Sequence, residues 1–190
     1  MQDTDTRAHE IVGWVFERFN EMGHRSYSEE VTELQHALQC ATLAREHGES
    51  DAMVAACLLH DFGHLVHGLD EDIADHGIDG RHEQAGYDAL RERFEAQVIE
   101  PGRLHVAAKR YLCCRDPEYL AALSPASARS LELQGGPMSE AEATAFESER
   151  YWKEALILRK YDDLGKDAEM ETPPLESFRD LLTRFVRREV

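Results

Sequence analysis

The sequence contains no long apolar run and few positively charged residues. No stretch approaches the roughly 20 apolar residues that a membrane-spanning helix needs, and the first residues, MQDTDTRAHE, lack the apolar core of a signal peptide. Lys and Arg number 21 against 38 Asp and Glu, so the formal net charge is −17. This charge repels a phosphate backbone. We therefore expect a cytoplasmic protein that binds neither a membrane nor nucleic acid.

Paired cysteines and strand patterns are also missing. The four cysteines, at positions 40, 57, 113 and 114, form no CxxC motif, and we interpret them as small buried apolar residues rather than as disulfides. No segment alternates apolar and polar residues for more than a few positions, which argues against a β-sheet. A chain of 190 residues suits one compact domain. The prediction is a single all-α domain over residues 1–190.

Helical periodicity fills most of the chain instead. The first helix is expected to end at Gly23. Pro101 is placed in the first turn of its helix, and Ser139 with Glu142 is interpreted as a capping box. The segments 23–30 and 123–139 are predicted to be loops. The later helices are predicted over residues 31–48, 51–60, 80–94, 101–114, 139–166 and 174–190.

Histidines and aspartates lie on the inner faces or at the ends of these helices. In CLLHDFGH, His60 and Asp61 follow an apolar segment, where a buried polar pair costs free energy unless it has a partner. Taken singly, each histidine is typical of a hydrogen-bonded core residue. Together they need a shared partner, and iron, manganese or zinc would suit such ligands. The six candidate ligands are His36, His60, Asp61, His82, His105 and Asp162.

The order of the six candidate ligands resembles the HD-domain superfamily, whose motif is H…HD…D. The added pair, His82 and His105, resembles its dinuclear branch, and the match covers residues 27–166. The resemblance implies a helical HD-domain bundle around a dinuclear metal site, in which Asp61 bridges the two metals. One metal would take His36, His60, Asp61 and Asp162, and the other His82 and His105.

Further residues resemble the PhnZ-type phosphonate oxygenases, an HD branch that uses a mixed-valent diiron pair. That branch has a Tyr-x-x-Glu loop before the first ligand, here Tyr27 and Glu30. It also has a further histidine in the central motif, here His64, and a lysine one turn after the last helix histidine, here Lys109. The resemblance implies that these four residues form the catalytic pocket. The implied substrate contacts are Glu30, His64, Lys109, Ser127, Ser130 and Gln134.

The resemblance implies O2-dependent cleavage of a C–P bond by an Fe(II)/Fe(III) pair, with O2 as co-substrate. The expected substrate is the organophosphonate 1-hydroxy-2-aminoethylphosphonate, which would give phosphate and glycine. Its trimethylammonium analogue, which would give glycine betaine, is the close alternative. A 2-oxoglutarate-dependent phosphonate hydroxylase is the implied upstream partner. Two other classes stay open, an HD phosphohydrolase and a metal-binding module without turnover.

Overall fold

The computed structural model describes residues 2–27, 30–66, 68 and 80–188, and this part of the chain folds into α-helices. Extended backbone within it pairs only at isolated bridges, such as Phe94 with Val186. The all-α prediction is confirmed. None of the described helices is both long and apolar enough to cross a bilayer. The helices are α1 (Gln2–Met22), α2 (Glu33–Glu46), α3 (Asp51–Leu59), α4 (His82–Leu90), α5 (Ala96–Arg115), α6 (Pro117–Ala121), α7 (Pro125–Leu133), α8 (Glu140–Glu147), α9 (Trp152–Leu164) and α10 (Arg179–Arg184).

The largest apolar cluster lies among α1, α2, α3, α9 and α10, with Val15, Leu58 and Phe178 among its buried members. A smaller cluster around Leu104 and Phe146 joins α5 to α8 and α9. The helices α2, α3, α4, α5 and α9 also pack against one another. Because all six candidate ligands lie on or beside these five helices, the packing brings them together.

The segment predicted as one helix over residues 139–166 is two helices, α8 and α9. The capping box formed by Ser139 and Glu142 is confirmed. Helix α8 ends because Ser148 turns back on it: its N–H and its hydroxyl donate to the Ala145 carbonyl at 3.1 and 2.6 Å. Such local bonds compete with the next helical turn.

The prediction that Pro101 lies in the first turn of its helix is wrong, because α5 begins five residues earlier, at Ala96. Proline has no N–H to donate to the Gln97 carbonyl, but Gln97 is exposed and water can replace that donor. The predicted loop 123–139 also contains a helix, α7, which Ser124 caps and Pro125 begins. The last predicted helix is shorter than expected, because a 3-10 helix at Leu175–Phe178 precedes α10.

Helix α3 ends at Leu59, immediately before His60 and Asp61. A 3-10 helix, Phe62–Leu65, then passes so close to α4 that a Cβ at Gly63 would lie 1.8 Å from the His82 carbonyl oxygen. Only glycine permits this approach. This approach places His64 beside His82. If α3 had continued as an α-helix, His64 would lie one turn after His60 on the same face, but the helix ends first. His67 and His76, which have no assigned role, lie outside the described residues.

Candidate metal centre

The six candidate ligands converge on one buried cluster. They come from α2, from the turn after α3, from α4, from α5 and from α9. Five of them are at most 6% exposed, and the side chain of the sixth, His82, is 13% exposed. Buried polar groups on so many elements need a common partner.

His36 and His60 form one half of the cluster. Their Nε2 atoms are 3.2 Å apart, and Asp61 Oδ2 lies 3.5 and 3.1 Å from them. Each Nδ1 lies 2.8 Å from a backbone carbonyl, that of Gly165 for His36 and that of Cys57 for His60. Because a carbonyl only accepts, Nδ1 carries a proton in both rings, and each Nε2 points into the cluster, where it offers a lone pair whenever the ring is neutral.

His82 and His105 form the other half. Their Nε2 atoms are 3.0 Å apart, and Asp61 Oδ1 lies 3.3 and 3.4 Å from them. His105 Nδ1 lies 2.6 Å from the Gly102 carbonyl, which again leaves Nε2 unprotonated. The two oxygens of Asp61 therefore face different histidine pairs, as those of a bridging carboxylate do.

The geometry fits two metal ions. In each pair the two Nε2 atoms lie 3.0 to 3.2 Å apart, so their lone pairs repel each other unless a proton or a metal ion lies between them. Two ligands about 2.1 Å from one ion, at right angles, are about 3 Å apart. Asp61 Oδ1 is buried and accepts no hydrogen bond within the described part of the chain, which is costly in a dry site. A metal ion at each histidine pair would satisfy these groups.

The protonation of the cluster suits this assignment. Burial lowers the pKa of His105 to about 3, so its ring is neutral at physiological pH. Burial alone would raise the pKa of Asp61, but the charge of His60 and hydrogen bonds from His36 and His60 hold it well below its usual range. Burial disfavours a charged His60, yet Asp61 outweighs that effect and raises its pKa to about 9, so His60 Nε2 carries a proton that a bound metal ion would replace. Asp61 is thus anionic and attracts cations.

His36 is held from several sides. The Tyr27 ring stacks on it, with the centroids 3.7 Å apart and the planes 8° from parallel. Cys40 Sγ lies 3.6 and 3.7 Å from its two ring nitrogens and donates to the Tyr161 carbonyl. Burial raises the pKa of the Cys40 thiol, so Cys40 is a neutral packing group. A Cβ at Gly165 would lie 2.5 Å from Cys40 Sγ, so glycine is needed at this position.

Gly165→Ala is expected to destabilise the protein by about 1 to 3 kcal/mol, because the new methyl group overpacks the site. It should also weaken metal binding, since the Gly165 carbonyl orients His36. Urea unfolding and titration with Fe(II) measure the two effects. The double variant Cys40→Ala, Gly165→Ala makes room for the methyl group and should recover most of the loss. A Gly165→Ala protein as stable as the wild type would contradict this packing.

Tyr27 and two cationic side chains surround Asp162. The Tyr27 hydroxyl donates to Asp162 Oδ1 at 3.1 Å, and Lys166 Nζ lies 3.7 Å from the same oxygen. Asp162 Oδ2 accepts from Arg159 Nη1 at 2.5 Å. Oδ1 also lies 3.6 Å from His36 Nε2. Asp162 therefore presents one oxygen to the cluster, and Tyr27 holds that oxygen.

Lys109 lies one turn after His105 and is 3% exposed. Its Nζ donates to Ser130 Oγ at 2.7 Å, and the Ser130 hydroxyl donates to the Ser127 carbonyl at 3.1 Å. Burial, followed by the nearby charge of Arg159, lowers the pKa of Lys109 to about 8. Lys109 and Ser130 thus meet as anion-binding groups would, although Ser130 lies on a helix rather than in a loop.

The remaining predicted substrate contacts lie at different distances from the histidine cluster. His64 stacks on His82, with the ring centroids 4.2 Å apart. Glu30 is exposed, outside the buried cluster. Gln134 ends α7, and its buried Oε1 accepts no hydrogen bond within the described residues. Ser127 uses its N–H in the cap of α7, where it donates to Ser124 Oγ.

Three charged residues of the site were missed from the sequence. Glu33 is buried, with Oε1 4.0 Å from His64 Nδ1. Arg159 is 4% exposed and bonded to Asp162. Lys166 lies over the Tyr27 ring, 5.7 Å from its centroid. The position of Arg159 could have been predicted from the sequence. It follows the apolar run ALIL and lies three residues before Asp162, so the two side chains share a helix face.

Comparisons with known proteins identify the family of this chain. The HD domain family matches residues 34–123. The chain is 39% identical over 182 residues to the [1-hydroxy-2-(trimethylamino)ethyl]phosphonate dioxygenase (glycine-betaine-forming) of Leisingera caerulea, covering 95% of this chain and 91% of that protein. It is 41% identical over 172 residues to the hydroxymethylphosphonate dioxygenase of Gimesia maris, covering 89% and 85%. An uncharacterized protein of Acanthamoeba polyphaga mimivirus is 35% identical over 179 residues, covering 92% and 81%.

Proposed function

The chain belongs to the HD-domain family and, within it, to the PhnZ-type phosphonate dioxygenases, and from this membership we propose that it uses O2 to break the C–P bond of a 1-hydroxyalkylphosphonate. The observation that carries the proposal is Asp61, whose two oxygens face separate histidine pairs. In the balanced reaction one O2 is consumed, the C–P bond breaks, C1 becomes a carboxylic acid, and phosphorus leaves as phosphate. Each product gains one oxygen atom.

The metals of the proposal are two iron ions, one Fe(II) and one Fe(III). When bound, iron supplies the activation of O2, which amino-acid side chains do not provide. The chain contributes imidazoles fixed by backbone carbonyls, and two carboxylates, Asp61 and Asp162. By this assignment His36, His60, Asp61 and Asp162 hold one ion, and His82, His105 and Asp61 hold the other.

The anionic phosphonate fits the side of the site that carries Lys109 and Arg159. Both side chains are buried, and they are close enough for their charges to repel. A doubly charged anion beside them would relieve that repulsion and accept charge-assisted hydrogen bonds. Ser130 already bonds Lys109 and would add a neutral donor. With a net charge of −17 on the chain, this buried cationic pair is a local exception.

Tyr27 keeps the site closed before substrate arrives. Its hydroxyl holds the oxygen of Asp162 that faces His36, and its ring covers His36. Burial raises the pKa of Tyr27 well above its ordinary value, so it stays a neutral donor. A substrate that displaces Tyr27 would open the cluster to O2. O2 would then reach the cluster only when a C–P bond is already bound there.

At the nitrogen end of the substrate, the site favours a primary ammonium group over a trimethylammonium group. A trimethylammonium group is typically bound by several aromatic walls, but three of the aromatic residues that could supply such walls have other partners. Tyr111 bonds Glu147, with Trp152 against its ring, and Tyr161 bonds Glu49. We therefore assign 1-hydroxy-2-aminoethylphosphonate, which gives phosphate and glycine, ahead of the trimethylated compound. The hydroxyl at C1 requires a preceding hydroxylation, for which a 2-oxoglutarate-dependent hydroxylase stays the predicted partner.

Protein reconstituted anaerobically with Fe(II) and then exposed to O2 is expected to release phosphate and glycine from 1-hydroxy-2-aminoethylphosphonate, one of each for every O2 consumed. Parallel assays of the trimethylammonium compound and hydroxymethylphosphonate rank the substituents at C1. An argon-treated sample is the control and should release no phosphate. Phosphate released from ordinary phosphate esters under argon, and none from the phosphonates, would identify a hydrolase instead. Metal binding without any turnover would identify a binding module.

A further inference from the structure

Arg159 is bonded on its outer side to two residues that do not belong to the metal cluster. Its Nε donates to the Tyr119 hydroxyl at 2.9 Å and to Asp163 Oδ2 at 3.2 Å, and its Nη2 donates to Asp163 Oδ1. The Tyr119 hydroxyl in turn donates to Asp163 Oδ2 at 2.7 Å. Tyr119, Asp163 and Arg159 thus form a closed ring of hydrogen bonds, named here the outer clamp.

Tyr119 is the member of the outer clamp that comes from a different helix. Arg159 and Asp163 lie four residues apart on α9, so this pair could turn together toward solvent, and Asp163 is already 28% exposed. Tyr119 lies on α6, which contains no buried residue. The Asp116 side chain accepts from the Tyr119 N–H at 3.2 Å and fixes the first turn of α6. Arg159 is therefore held inward from two sides, by its bond to Asp162 on its own helix and by the tyrosine hydroxyl from another helix.

The direction of Arg159 matters at two places in the site. Its Nη1 donates a hydrogen bond to Asp162 Oδ2, so only Oδ1 of this carboxylate faces His36. Lys109 is also buried, on helix α5, which packs against α9, and the charge of Arg159 is close enough to lower the pKa of its ammonium. If the guanidinium turned outward, the anion side of the site would lose one of its two buried cations.

We propose that Tyr119 is a positioning residue, which holds Arg159 inward beside Lys109 so that the two buried cations together bind the phosphonate. This rests on the proposed function for the identity of the anion. Tyr119 itself touches neither the candidate metal ligands nor the substrate, and it acts through Arg159.

Tyr119→Phe in the iron-reconstituted protein is expected to raise the KM for the hydroxyphosphonate about tenfold, the equivalent of about 1.4 kcal/mol of binding. The value of kcat should change much less, because the metal ligands are unchanged. Inhibition by inorganic phosphate, a product, should weaken by the same factor. Tyr111→Phe is the matched control, since its hydroxyl also donates to a carboxylate, that of Glu147, but on the surface between α5 and α8. It should leave KM and kcat as in the wild type.

A double-mutant cycle separates positioning from general stability. Arg159→Lys removes the Nε donor, so adding Tyr119→Phe should then change KM little. Equal effects of Tyr119→Phe in both backgrounds, an effect on kcat alone, or no difference from Tyr111→Phe would overturn the proposal. If the wild type has no turnover, the proposed function fails, but calorimetric titration with inorganic phosphate still tests the outer clamp. Equal phosphate affinity in the wild type and Tyr119→Phe, or no binding by either, would also overturn it.

Discussion

Asp61→Asn is expected to lower turnover about 10³-fold or more, because the two oxygens of Asp61 face both halves of the candidate metal cluster. Asparagine has nearly the same shape, but one oxygen becomes an NH2 group that cannot face the Nε2 atoms as a ligand. It also removes the negative charge that holds two cations side by side. Metal analysis after reconstitution should show at most half the iron of the wild-type protein.

Asp88→Asn is the matched control for this substitution, since Asp88 is an exposed aspartate that pairs with Arg91. It should keep wild-type iron content and turnover. Circular dichroism of both variants checks that the helices remain. An Asp61→Asn protein with full iron content and full turnover would show that the carboxylate does not bridge the metals.

Lys109→Met is expected to lower kcat/KM for the hydroxyphosphonate roughly 10²-fold, because it removes a buried cation from the anion site. Methionine is apolar and flexible, so it can fill the same buried space. Iron content should stay as in the wild type, since Lys109 is not among the candidate ligands. Steady-state kinetics and metal analysis together measure this separation. Lys160→Met, at an exposed lysine on α9, should change neither.

The same lysine should produce a pH dependence in the wild-type protein. The pKa of Lys109 is lowered to about 8, mainly by burial and next by the charge of Arg159. The charge of Lys166 lowers this pKa further, and the charges of Asp162 and Asp163 raise it. The ammonium is therefore charged below pH 8 and neutral above it, so KM should rise as the pH increases through about 8. Lys109→Arg keeps the charge at higher pH and should move the rise upward. The same pH profile in wild type and Lys109→Arg would exclude Lys109 as its cause.

The identity of the six candidate ligands could be predicted because their chemistry is visible in the chain. His60 and Asp61 follow an apolar segment, and His36 and His105 lie on amphipathic helices, so their burial could be inferred from periodicity. Glu30 was chosen instead by resemblance to the Tyr-x-x-Glu loop, yet it is exposed while Glu33 is buried beside His64. Loop residues lack the periodicity that indicates which side chain points inward.

Local errors in the helix predictions have a common cause. Ser148 ends α8 through its own hydroxyl, and Ser124 with Pro125 starts α7 inside a stretch rich in serine and glycine. A serine in either place is compatible with a helix or a turn, and the choice depends on which backbone groups are already bonded. The consequence for the site is that Ser127 and Ser130 lie on a helix, where Ser130 reaches Lys109.

The sequence by itself determined the fold class, the order of the ligands and the anionic surface, because apolar periodicity and residue chemistry are properties of the chain. Only the tertiary structure decided that each oxygen of Asp61 faces a different histidine pair, and which nitrogen of His36, His60 and His105 faces inward. The tertiary structure also decided that Tyr119 holds Arg159. These contacts join residues far apart in the chain, and several use backbone carbonyls. Every residue has such a carbonyl, so no side-chain pattern records which one is used.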